Sequence, residues 1–80
     1  MDRGTELTVI LPVTGDKPRD ILRVRRVRGA LASEPGDVPF YLLVEDTLIT
    51  FPEEGVTLNE DLLSRLRDLA GEENVVVKKS

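Results

Sequence analysis

The feature that most constrains this chain is a change of hydrophobic period. Leu7, Val9 and Leu11 fall on every second residue, alternating with Thr8 and Ile10, as a half-buried strand requires, and Pro12 stops the run. From Pro18 onward the period lengthens: Val24, Val27 and Leu31 recur at helical spacing, with Ile21 at the margin of the stripe. Between the two lies VTGDKP (13–18), a loop by its Gly, Asp and Pro. Asp16 is placed to cap the helix, Pro18 suits its first turn, and Asp20 sits near the positive end of its dipole. The spacing predicts a helix over 18–33, ended by EPGD (34–37).

The period then returns to two. Phe40, Leu42 and Val44 alternate with Tyr41 and Leu43, Glu45-Asp46 reads as a tight turn, and TLITF (47–51) as a third strand, so 38–51 is a hairpin. PEEGV (52–56) reads as loop. Asn59 is a good N-cap, with Glu60 and Asp61 in the first turn of a helix whose apolar face is Leu62, Leu63, Leu66, Leu69 and Ala70. Gly71 is placed just past its end, and 74–78 forms a fourth strand. The order β-α-β-β-α-β predicts an α+β fold, a split (ferredoxin-like) sandwich with two helices on one face of a four-stranded sheet. The whole chain, 1–80, reads as a single small domain with a folded core over 6–78 and a frayed or cloning-derived end at 1–5.

In that arrangement Leu7, Val9, Leu11, Phe40, Leu42, Val44, Ile49, Phe51, Val75 and Val77 lie under the helices. The open face carries Thr8, Ile10, Tyr41, Leu43, Leu48, Thr50 and Val76, which is more apolar than a solvated face needs and makes it a candidate interface.

Composition narrows the chemistry. The chain has no cysteine and no histidine, so disulfides, thiolate metal sites and the commonest general base are all missing. Catalysis would rest on carboxylates, lysine or hydroxyls, and no catalytic, cofactor or metal site is expected. The clustered acids Glu45, Asp46, Glu53 and Glu54 match no calcium-loop spacing and read as solvated loop charge. No apolar run approaches the length of a membrane span, and a reducing cytoplasm fits the absence of cysteine.

Charge is unevenly spread along a chain of net charge −4: Lys17–Arg28 carries net +5, whereas Glu34–Glu73 carries net −9. RVRRVR (23–28) holds four arginines in six residues. In the helical register Val24 and Val27 turn to the core, Arg19, Arg23, Arg26 and Ala30 lie opposite, and Arg25 and Arg28 flank the apolar stripe. A solvated face and a partner-binding face are both open readings. An acidic protein is favoured over nucleic acid as the partner, because the chain has three aromatic residues and only Tyr41 is placed to stack a base. Candidate partner-contacting residues are therefore Arg19, Arg23 and Arg26 on the helix, with Ile10, Tyr41, Leu43 and Val76 on the open sheet face.

LASEPGDVPFYLLVE (31–45) followed by LNEDLLSRLRDLAGEENVVV (58–77) resembles the extreme C-terminal domain of the bacterial replicative DNA polymerase III alpha subunit. The resemblance is carried by Pro35, Gly36, Asp37, Pro39, Phe40, Tyr41 and Leu42, then by Leu69, Gly71, Val75 and Val77 of the closing helix and tail, and covers about 6–78. It implies a Pro-Gly-Asp turn and a non-catalytic domain, excised from a longer polymerase, that docks to the tau subunit of the clamp loader. No cofactor, metal or small-molecule ligand is expected, and direct nucleic-acid binding is disfavoured. Two other readings share the pattern. ACT-type regulatory domains have the same element order and a glycine-bearing loop after the first strand, a part VTGDKP could play. A nucleic-acid module would use the arginine-rich helix.

Overall fold

The computed structural model describes residues 4–79. The alternation at the N-terminus becomes β1, Glu6–Leu11, in which Leu7 and Val9 are 0% exposed and Leu11 is 2% exposed. The helix follows as α1, Lys17–Ala32, with Pro18 in its first turn; the Asp16 side chain caps it by accepting from the Arg19 N–H at 3.3 Å. Asp20 also closes the preceding loop, accepting from the Thr14 hydroxyl at 2.8 Å and the Thr14 N–H at 3.1 Å.

Pro35–Val38 is a short strand, β2, and not the expected turn. Pro35 and Val38 bridge to Val56, and the Thr57 N–H donates to the Glu34 carbonyl at 2.8 Å. Gly36 explains the arrangement: a Cβ there would stand 2.6 Å from the Thr57 nitrogen, so only glycine lets the two backbones come together. Gly55 meets it from the other side, accepting the Gly36 N–H at 3.2 Å. Helix termination is left to Ser33, whose hydroxyl donates to the Ala30 carbonyl at 2.7 Å.

Phe40–Val44 (β3) and Thr47–Thr50 (β4) form the expected hairpin, turned at Glu45 with φ 59°. The second helix, α2, runs Glu60–Ala70, capped by Asn59, which accepts from the Leu62 N–H at 2.8 Å. Gly71, at φ 102°, ends it in a backbone conformation that L side chains resist. A single 3₁₀ turn, Glu72–Asn74, leads into β5, Val75–Lys78.

The four-stranded mixed sheet has the order β4-β3-β1-β5, with β1 parallel to β3 and antiparallel to β5. The α+β class, the two helices and the four-stranded sheet are as the periodicity predicts. The strand order differs from a split β-α-β unit, because the two parallel strands joined through α1 are immediate neighbours. β2 lies outside this sheet, so the chain leaves α1, makes a side contact with Val56, and enters beside β1.

The core lies between the sheet and the helices: Leu7, Val9, Leu11, Phe40 and Leu42 meet Val27, Ala30, Leu31, Leu62, Leu66 and Ala70. Each large side chain buried there contributes on the order of 1.5–3 kcal/mol. Val44, Ile49, Phe51 and Val75 pack at its margin as expected. Val77 does not, and is 37% exposed, on an edge strand with a neighbour on one side only. Ala30 is 8% exposed and not solvent-facing, since α2 packs on that side of α1. Val56, assigned to loop by the sequence pattern, is 0% exposed, and Thr5, placed in the frayed end, is 7% exposed. Residues 1–3 of that end lie outside the described residues.

Candidate functional site

Packing of α1 against α2 leaves a groove on the outer surface of the helix layer. Its part nearer the start of α1, about 410 Å³, is lined by Arg19, Leu22, Arg23, Arg26, Asp68 and Leu69. A second hollow of about 400 Å³ continues it past Gly29 and Ala30 to Arg65, sharing Arg26, Asp68 and Leu69. Helical spacing makes the wall: 19, 23 and 26 stand at i, i+4 and i+7 on one stripe of α1, with Leu22 in the same stripe. On α2 the corresponding stripe is Arg65, Asp68 and Leu69.

The two ends of the groove are built differently. Where α1 finishes, the Asn59 amide donates to the Glu34 carboxylate at 3.0 Å and Arg65 donates to the Ser33 hydroxyl at 3.3 Å, tying the helices together. Toward the start of α1, Arg19, Arg23 and Arg26 take part in no ion pair among the described residues, and neither does Asp68. Leu22, between these arginines, is 46% exposed. The result is an open basic wall over an aliphatic floor.

RVRRVR is therefore divided by structure. Val27 is buried and Val24 half-buried against the core. Arg23 and Arg26 belong to the groove, and Arg25 is exposed outside it. Arg28 is engaged elsewhere. Its guanidinium lies 4.3 Å from the centroid of the Phe51 ring and donates to both Glu54 carboxylate oxygens, at 3.3 and 3.5 Å. Phe51 in turn stacks on buried Phe40, ring centroids 5.0 Å apart. Arg28 thus fastens α1 to the loop after β4.

The other four candidate residues lie on the opposite surface of the molecule. Thr8 stands between Val76 and Tyr41, and Leu43 between Ile10 and Leu48, in adjacent rows across the open sheet face. Ile10, Tyr41 and Leu43 are half-buried by their neighbours, while Leu48 is 55% and Val76 36% exposed. The seven candidates thus form two sites, one basic and one apolar, with the core between them.

Leu22, Arg65, Asp68 and Leu69 complete the groove and were not among the candidate site residues of the sequence. One signal for Leu22 was present, an apolar residue inside the basic stripe; the α2 residues become partners only through helix packing. The acids of the loops remain apart: Glu45, Asp46, Glu53 and Glu54 are exposed, Glu54 is taken up by Arg28, and the described residues contain no group of three or more carboxylates able to hold a metal ion. No helix among them is long and apolar enough to cross a membrane. Comparison with family models, curated proteins and solved structures returns no match for this chain.

Proposed function

We propose that this chain is a non-catalytic protein-interaction domain of a bacterial replicative DNA polymerase, tethering the polymerase to the tau subunit of the clamp loader in the cytoplasm. The observation that carries the interaction reading is the groove between α1 and α2, where three arginines without ion-pair partners among the described residues border an exposed leucine. Holding like charges together on one face opposes folding through mutual repulsion, and a complementary partner relieves it. The choice of tau as partner rests on the resemblance of residues 31–45 and 58–77 to the polymerase tail. On this reading the domain is a variant of the ferredoxin-like sandwich in which β3, the first sheet strand after α1, lies beside β1.

The test is capture of purified tau by the folded domain, quantified by surface plasmon resonance. Saturable binding weakened by Arg23→Glu together with Arg26→Glu supports the proposal. A domain that gives a cooperative unfolding transition yet captures no tau rules it out.

A further inference from the structure

We infer that the groove between α1 and α2 receives an amphipathic helix whose contact face carries carboxylates around an aliphatic side chain. This deepens the reading above and rests on it. Charge decides the sign of the occupant: Arg19, Arg23 and Arg26 face the groove without ion-pair partners among the described residues, against the single carboxylate of Asp68 on the α2 wall. Spacing decides its pitch. The first and last of the three arginines stand seven positions apart on α1, or roughly 10 Å of helix axis, which matches acids at i, i+4 and i+7 of a second helix. Leu22 and Leu69, at the floor, supply a seat for one branched aliphatic side chain between those acids.

The backbone decides between a helix and an extended peptide. The middle stretches of α1 and α2 satisfy their own N–H and C=O groups, so the groove offers an extended segment no main-chain partners. A helix brings its own backbone bonds and needs only side-chain contacts. The floor also disfavours a nucleic-acid strand, because the lining residues include no aromatic ring for base stacking.

Gly29 provides a way to close the groove without harming the fold. It lines the second hollow, and a Cβ added there meets nothing within 4 Å. Gly29→Leu places a bulky side chain in the path of the occupant while replacing a poor helix former with a good one.

The experiment titrates the chain with a labelled alanine-based peptide of about 20 residues, long enough to form a helix. The peptide carries glutamates at i, i+4 and i+7 around one leucine, and binding is read by fluorescence anisotropy and the gain of peptide helicity. The expected result is binding that falls by at least about tenfold with Arg23→Glu plus Arg26→Glu, and by a similar factor with Gly29→Leu. Arg25→Glu, outside the groove, changes it by less than about threefold. Equal binding of a scrambled peptide, an equal loss with Arg25→Glu, or displacement by a single-stranded oligonucleotide overturns the inference. Capture of tau undiminished in Gly29→Leu also overturns it, leaving the proposed function standing. Peptide binding by a domain that captures no tau upholds the groove and removes the tau assignment.

Discussion

One helix carries arginines in two opposite conditions. Arg28 has a ring beneath it and a carboxylate against it, whereas Arg23 and Arg26, less than two turns away, have neither. The difference is set by what lies across from each. Arg28 faces the loop after β4, where Phe51 and Glu54 are waiting; the other two face α2, which offers an apolar edge and Asp68. Position on the wheel, not arginine content, separates a charge that holds the fold together from a charge left available to something else.

The largest effect expected on α1 tests the element itself rather than its charges. Leu31 is 1% exposed, in the core against which the helix carrying both arginine groups is packed. Leu31→Ala should cost about 2–5 kcal/mol, seen as a lower denaturant midpoint with both groups affected alike. A loss well below that range would mean that α1 is held chiefly by its surface contacts. Next comes Arg28→Ala. An exposed ion pair contributes about 0.2–1 kcal/mol and a cation–π contact about 0.5–1 kcal/mol, so the expected loss is about 0.7–2 kcal/mol. Raising salt should erode only part of it, since the Phe51 contact is partly desolvated and the stem of Arg28 covers apolar surface. A double-mutant cycle with Phe51→Leu separates the ring term from the Glu54 term.

The same contrast explains how far the sequence could be read. Elements fixed by neighbours in the chain were legible: Asp16 and Asn59 as caps, Gly71 past the end of α2, the turn at Glu45-Asp46, and the parity of β1 and β3. Features created when distant segments meet were not. Val56 looked like part of a polar loop because one valine makes no period, and it joins the core where its segment bridges to Pro35 and Val38. Pro35–Val38 contains Pro and Gly and has three exposed residues, so it gives no strand pattern; its partner lies beyond β4. Ala30 shares a stripe with Arg26, and nothing within α1 foretells that α2 covers one and leaves the other open. The basic half of the candidate site was visible as residues, and its α2 wall was not.

A smaller effect of opposite sign is expected at Gly29. With no atom within 4 Å of a new Cβ, Gly29→Ala should stabilise the chain by up to about 1 kcal/mol through helix propensity alone. A destabilised variant would show that the groove wall is tighter than the open space at Gly29 implies.

The smallest effect decides the comparison. Arg23→Ala and Arg26→Ala remove no ion pair or ring contact found among the described residues, so each should leave stability within about 0.5 kcal/mol of the parent. Their sign carries information. If the unpaired arginines repel one another, the double substitution should be neutral or slightly stabilising at low salt, and the gain should vanish as salt screens it. Measured beside Arg28→Ala in the same titration, the pair then gives opposite salt trends from one helix. A loss of about 1 kcal/mol or more on removing Arg23, beyond the range of an ordinary surface change, would place it with Arg28, as a residue the fold itself employs, and would leave the groove without its spare charge.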